Sequence, residues 1–528
     1  MSTYTKPKRF FEDSGVVDPA SSYHVALENV ANTRGQDMRT MVDLGRYFSI
    51  FAPRQSGKTT FFRDFCRTLS KNPTYIPILL SFQYMKNFSG EEFYGRIQGN
   101  LSEQLAGRLE AVGCPEKESV KGFLASPMLA THMGLYDFFK SLNRLIQNKK
   151  IVIFIDEFDG IPRSELEDFL NTLRELYQEY KGRRDKALYA VGLVGIRNIT
   201  KLVVGGVSPF NIADQVKLPS FSLQNIRDLY GQYTVETHQP FSAGAVERVF
   251  RETEGQPWLV NRLGTILTVD ICPITTKVIT EKDVEKGVER LLYEDNNHFD
   301  NITEKAKQFR EAFVDVVFDG VRYIPGDEAQ SLLLTHGLIR TEGERVLVAN
   351  AIYRKRYTKT FFSEAGVAAD TTLKGYYTSD GFLNMTSILL DFEDYIMQIG
   401  VNAFYSPGKP YEKTGQFLLT AWLYQFVEAG RGDLRYEVPS GLGRMDLLLT
   451  YRGRKYIIET KINRSNAERT IEKAVEQVVG KYLTTEKADE GYIVIFDLLK
   501  KVGEVESPRE LEMDGKKLMV FLMGIGKD

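Results

Sequence analysis

Cysteine is scarce in this chain of 528 residues. The three present, Cys66, Cys114 and Cys272, lie far apart and lack the paired spacing of a zinc site or a disulfide framework, so they read as buried thiols. Long hydrophobic runs are also missing. No window approaches the roughly 18 uninterrupted apolar residues of a membrane span, and positions 1–12 carry Lys and Arg without an apolar stretch of signal-peptide length. These absences leave the cytoplasm as the expected location, with no membrane partner. A surplus of one charge is absent as well: the net charge is −2, so there is no global basic signature and any nucleic-acid contact must rest on a local patch. Internal repeats and low-complexity segments do not occur, which excludes solenoids and fibres.

What is present is the balance of a soluble globular protein, 43% apolar and 26% charged, in a chain long enough for two to four domains. A short apolar strand at 47–51 runs into a Gly-containing turn and an amphipathic helix with Phe61, Phe62, Phe65 and Leu69 on one side. Strands at 76–82, 151–155 and 188–195 then alternate with helical stretches such as 164–180. Such alternation predicts an α/β fold, a parallel sheet covered by helices on both faces. Residues 222–295 read as all helical. A helix at 327–336 and a small hairpin at 337–349 predict a winged helix over 296–365, and the small, polar stretch 366–375 fits a linker. Beyond it come a long helix (411–429), a hairpin, another helix (468–482) and two late strands.

Ala52-Pro53-Arg54-Gln55-Ser56-Gly57-Lys58-Thr59 fits the Walker A pattern, except that Ala replaces the first Gly. Phosphate binding needs a loop whose N–H groups face the anion, a helix N-terminus aimed at it, a lysine for the β and γ oxygens and a hydroxyl for Mg²⁺. Arg54, Gln55, Ser56, Gly57, Lys58, Thr59 and Thr60 supply those parts. The apolar run 151–155 ends in Asp156-Glu157, the buried strand and acidic tip of a Walker B motif. Asp156 is expected to hold Mg²⁺ and Glu157 to polarise the attacking water. After the strand 188–195, Asn198 stands where a γ-phosphate sensor would sit, or caps a plain turn. Arg183 and Arg184 read as a solvated basic loop or as an arginine finger for a neighbouring subunit.

With these motifs the segment 15–270 resembles the AAA-like ATPases of the AAA+ and STAND branch. The resemblance is carried by 52–60, by Ile-Asp-Glu-Phe-Asp at 155–159, by Ser-Pro-Phe-Asn-Ile at 208–212 and by Gly-Gln-Pro-Trp-Leu-Val at 255–260. It implies ATP and Mg²⁺ as cofactors, homo-oligomers, a core over 1–221 and a lid over 222–295 whose helices start near Gly255 and Pro257. Pro257 and Trp258 stand where many members carry a sensor arginine, so the ordinary lid arginine contact is not expected at that position, and Arg262, one turn later, is a candidate substitute.

The hairpin 444–462 follows from geometry. With Gly453-Arg454 as a two-residue turn, Asp446 faces Lys461 across the ladder, and Glu459, two residues before Lys461, shares its face. Charges gathered on an otherwise apolar hairpin are expensive to desolvate and need a reason. Two carboxylates on a divalent metal, with a lysine beside the attacking water, is such a reason; a surface salt bridge is the ordinary reading of Glu-Thr-Lys alone. Glu412, at the start of the long helix, is a candidate third oxygen ligand, and Gln477 a candidate for positioning water or phosphate.

Within a last domain expected over 376–528, residues of about 376–500 resemble the PD-(D/E)XK nuclease superfamily through the helix bearing Glu412, Gly443-Arg444-Met445-Asp446, Ile457-Ile458-Glu459-Thr460-Lys461, Glu476-Gln477 and Tyr482, with Met445 in place of the proline. The resemblance implies a restriction-endonuclease-like α/β fold, Asp446 and Glu459 as Mg²⁺ or Mn²⁺ ligands and Lys461 as catalytic. Arg444, Arg452, Arg454, Lys455, Arg464, Arg469, Lys473 and Lys481 form a local basic excess suited to a phosphate backbone, or a solvated helix face. The combined expectation is an ATP-regulated DNase, by analogy of prokaryotic defence or mobile-element biology. The rival is a STAND-like signalling or scaffold ATPase whose C-terminal domain binds nucleic acid or a protein partner without cutting.

Overall fold

The computed structural model describes residues 4–526 except 28–29, 33, 127–128, 147, 180–187, 196–211, 274–275, 320, 365–375, 379, 381, 400–403, 407–408, 411, 428–431, 441–442, 487, 489 and 502–506. The chain divides into two compact units, Met1–Phe313 with Arg322–Arg354, and Val314–Val321 with Lys355–Asp528. Among the described residues, no helix is long and apolar enough to cross a membrane.

The first unit is built on a six-stranded sheet made of β1 (Ala31–Asn32), β2 (Tyr47–Phe51), β3 (Tyr75–Ser81), β4 (Lys150–Asp156), β5 (Leu188–Gly195) and β6 (Asp214–Lys217), in the order β1-β6-β2-β5-β4-β3. Every pairing is parallel except β1 with β6. A strand buried on both faces sends alternate side chains to opposite layers, and β4 does so. Ile151, Ile153 and Ile155 join one core with Phe93, Phe138 and Phe169, while Val152 and Phe154 join the other with Phe61 and Phe62. Each fully buried ring stabilises the fold by about 1.5–3 kcal/mol. The strands and covering helices expected from alternation are therefore present, including Lys58–Leu69 and Leu166–Glu179.

Three helices, Leu223–Thr237, Ala243–Thr253 and Pro257–Thr265, each start at a side chain that accepts a backbone N–H: Ser222, Ser242 and Gln256 respectively. The last continues as a π turn, Ile266–Ile271, before Glu281–Leu292. Helices Asn297–Gln308, Arg310–Asp319 and Glu328–Thr335 follow, then the hairpin of β7 (Ile339–Glu342) and β8 (Arg345–Val348), the element order expected of a winged helix.

In the second unit a small pair, β9 (Tyr405–Ser406) and β10 (Lys409–Pro410), precedes a six-stranded sheet. Its strands are β11 (Gly432–Ser440), β12 (Gly443–Tyr451), β13 (Arg454–Asn463), β14 (Glu490–Asp497), β15 (Arg509–Met513) and β16 (Lys516–Gly524), in the order β11-β12-β13-β14-β16-β15. β14 pairs in parallel with β13 and β16, and the other pairings are antiparallel. Helices Met385–Ile399 and Glu412–Val427 share one core with the sheet. The helix Ala467–Gln477 and its π extension Val478–Leu483 share the other. Three late strands replace the two expected, because every residue of β15 is exposed and its sequence carries no buried alternation.

Candidate functional site

The phosphate loop lies between the end of β2 and the helix Lys58–Leu69. Gln55 and Gly57 turn the backbone with φ of 56° and 82°, and Gly57 caps the helix without a side chain, leaving its first N–H groups uncapped by side-chain oxygen. Lys58 is buried. Its Nζ donates to the carbonyls of Ala52 at 2.8 Å and Pro53 at 2.5 Å, and Ser56 Oγ donates to the same Pro53 oxygen at 2.8 Å. Burial pulls the Lys58 ammonium below its ordinary range, opposed by the negative charges of Asp156, Glu157 and Asp159. Arg54 and Gln55 are exposed.

β5 separates β2 from β4, yet Thr59 reaches across: its Oγ1 donates to Asp156 Oδ2 at 2.6 Å. Asp156 Oδ1 in turn accepts from the backbone N–H of Glu157 at 2.9 Å. Glu157 sits at φ 52°, an unusual region for a non-glycine residue, and burial followed by the neighbouring Asp156 raises its carboxyl. These residues fit a magnesium nucleotide. The hydroxyl and carboxylate that would hold the ion already touch, and Lys58 has only neutral carbonyls to give up. Thr60 is turned elsewhere, its Oγ1 accepting from Val17 N–H at 3.2 Å. Asn198, Arg183 and Arg184 lie outside the described residues.

Arg262 is a correction to the sequence reading. Its guanidinium is spent on Glu294, at 2.7 and 2.9 Å, and on Asp13 at 3.0 Å, and the Glu294 bonds raise its already high pKa further. A guanidinium clasped by two carboxylates joins the amino-terminal segment to the helix; it is not held out as a phosphate sensor. Among the described residues a contact from this helix to the loop is made by Gln256, noted in sequence only as part of the 255–260 motif. Its Oε1 accepts from Leu259 N–H at 2.6 Å, and its Nε2 donates to Gln55 O at 3.3 Å. The dipeptide Gln256-Pro257, a cap followed by proline in the first turn, was the available signal.

In the second unit the hairpin turns on Arg452-Gly453, both with positive φ (50° and 83°), so the register is two residues away from the expected one. A tight turn of this kind favours glycine at its second central position, where the sequence reading had placed it first. A two-residue slip preserves the faces. The ladder of β12 and β13 ends at Leu447 with Ile458, and the next opposed position belongs to Asp446 and Glu459 rather than Asp446 and Lys461. Asp446 Oδ2 accepts from both the N–H and the Oγ1 of Thr460, each at 2.7 Å. Lys461 Nζ donates to Glu459 Oε1 at 2.5 Å.

Glu459 is fully buried, and its Oε2 has no hydrogen-bond partner. Burial, then the negative charge of Asp446, pushes its carboxyl up to about 7. On the covering helix, Gln477 Nε2 donates to Tyr482 Oη at 2.6 Å across the π turn, and burial raises the Tyr482 hydroxyl. A buried carboxylate oxygen without a donor fits a cation better than a closed salt bridge. Glu412 starts its helix, but its side chain lies outside the described residues. Among the described residues, no third Asp, Glu, His or Cys joins Asp446 and Glu459. The basic excess disperses: Arg454 pairs with Glu490 and Lys455 with Glu486, both at 2.6 Å, and Arg452 lies over the Tyr451 ring at the turn end of the hairpin. Arg469, Lys473 and Lys481 stay exposed on the covering helix, and the Arg444 side chain lies outside the described residues.

Residues 13–359 match the family model of the AAA-like domain, and the chain belongs to that family. Residues 383–500 match a domain family of unknown function. No curated protein matches the chain. Similar solved structures include a Walker-type ATPase of Pyrococcus abyssi, with 13% identity over 59% of this chain and 90% of that one and a TM-score of 0.41. Another is the ORC2 protein of Aeropyrum pernix, at 12% identity, 60% and 89% coverage and a TM-score of 0.36. A third is the RuvB Holliday junction branch migration motor of Thermotoga maritima, at 14% identity, 60% and 90% coverage and a TM-score of 0.32.

Proposed function

We propose that this AAA-like protein hydrolyses ATP at the phosphate loop and cleaves DNA phosphodiesters, with a divalent metal, at the carboxylate hairpin. The nucleotide reading rests on Lys58 and Thr59 meeting Asp156 and Glu157 from two separate segments of sequence. Lys58 exchanges the Ala52 and Pro53 carbonyls for phosphate oxygens. Thr59 and Asp156 are the residues that would hold Mg²⁺, and Glu157 orients the water that attacks the γ-phosphorus.

For the hairpin, the observation that carries the proposal is the buried, unpartnered Oε2 of Glu459 beside Asp446 and Lys461. Asp446 and Glu459 would hold the divalent ion, which supplies neutralisation of phosphate charge and acidification of a bound water. Lys461, released from Glu459, stabilises the anionic phosphorane or orients the nucleophile. Gln477 with Tyr482 lines the same face, and Arg469, Lys473 and Lys481 offer charge to a phosphate backbone.

A scaffold that binds nucleic acid or protein without cutting is favoured by one observation, the lack of a third ligand among the described residues. Purified protein incubated with plasmid and Mg²⁺ or Mn²⁺, with and without ATP, separates the two. The proposal expects cleavage that disappears in Asp446→Ala and Lys461→Ala while ATP turnover persists. Cleavage unchanged in both variants, or none under any condition, rejects the nuclease. ATP turnover undiminished in Lys58→Ala rejects the hydrolytic loop.

A further inference from the structure

We infer that Thr460 is a positioning residue for the metal ligand Asp446, an inference that rests on the nuclease reading above. β12 and β13 stop pairing after Leu447 and Ile458, so beyond that point the β12-side N–H groups of β13 lose their ladder partners. A buried N–H must be satisfied somewhere. At Thr460, fully buried, the Asp446 carboxylate takes that place, and the threonine hydroxyl adds a second donor to the same oxygen, both at 2.7 Å. Two donors from one residue on a single carboxylate oxygen fix both the position and the plane of the group.

The consequence concerns Glu459. Past the end of the ladder Asp446 and Glu459 fall opposite each other on one face, and an Asp446 carboxylate without these two donors would be free to rotate away. Thr460 prevents that. The metal-free protein then keeps the two carboxyl groups side by side, so a divalent ion meets a site whose ordering cost is already met by the fold. In the described contacts the run divides its donors, Lys461 to Glu459 and Thr460 to Asp446.

The test is Mn²⁺ binding to the nucleotide-free full-length chain, read by electron paramagnetic resonance, in the wild type, Thr460→Val, Thr460→Ser and Asp446→Ala. The expected result is affinity weakened about tenfold in Thr460→Val and kept within about twofold in Thr460→Ser, with the site lost in Asp446→Ala. Wild-type affinity in Thr460→Val, or an equal loss in the valine and serine variants, overturns the positioning role while leaving the nuclease reading intact. Wild-type Mn²⁺ binding in Asp446→Ala overturns the nuclease reading itself. Thr460→Ala repeats the comparison if the valine variant does not fold, with a thermal melt of each variant to establish that it is native.

Discussion

Each of the two sites turns on a lysine, and the two lysines are held in opposite ways. Lys58 is buried against the neutral carbonyls of its own loop, while three acids stand near without bonding it in the described contacts. Lys461 lies against a carboxylate that burial has pushed towards neutrality. The first arrangement is a backbone device, in which strand, loop and helix follow one another within residues 47–69 and the chain's own carbonyls hold the ammonium. The second is a side-chain device, in which three groups from two strands meet only because a ladder ends where it does. A backbone device tolerates Ala52 in place of glycine; a side-chain device depends on each partner, including Thr460.

The sharpest way to break this comparison is to remove each lysine in turn. Lys58→Ala is expected to lower ATP turnover by roughly 100-fold or more and Lys461→Ala to lower DNA cleavage by a similar factor, each leaving the nucleotide or metal affinity of the other site unchanged. Loss of Mn²⁺ binding in Lys58→Ala would mean that the two devices are not independent.

A smaller effect tests the buried carboxylate. Glu459 titrates at about 7 in the folded chain against 4.5 as its ordinary value, so the folded state binds this proton more tightly. The stabilisation is fully present below about 4.5 and is lost as pH rises through about 7. In chelator, Glu459→Gln is expected to match the wild type near pH 5 and to exceed it by roughly 1–3 kcal/mol near pH 8, followed by thermal melts. Parallel stability curves from pH 5 to 8 would show that Glu459 is ionised throughout, making it a plain salt-bridge partner of Lys461. Lys58 offers the contrast: its partners are uncharged carbonyls, so no such crossover attaches to them.

The smallest expected effect concerns the clasp. Arg262→Ala is expected to cost about 1–2 kcal/mol of stability through Glu294 and Asp13 and to leave ATP affinity within about threefold of wild type. A tenfold loss of affinity at unchanged stability would restore Arg262 as a nucleotide contact.

How much was legible follows the same division. The strand at 47–51, the helix with Phe61, Phe62 and Leu69 and the run 151–155 were readable because each is a local pattern of apolar residues at a fixed period. The carboxylate hairpin was readable in part: alternation placed Asp446, Glu459 and Lys461 on one face, but glycine was set at the wrong turn position and the facing pair was two residues off. The basic residues misled because sequence density says nothing of partners, and Arg454 and Lys455 are neutralised by Glu490 and Glu486 from distant segments. The role of Arg262 failed for the same reason, its carboxylates lying far off in sequence at Asp13 and Glu294.

The sequence by itself determined the α/β class, the phosphate loop and the acidic tip of β4, because backbone conformation and apolar period are written in adjacent residues. Only the tertiary structure decided that β5 stands between β2 and β4 while Thr59 still meets Asp156, that Gln256 rather than Arg262 reaches the loop, and that Thr460 holds Asp446 beside an unpartnered Glu459. Hydrogen bonds and burial between distant segments depend on register and packing, and those are settled by the whole fold at once.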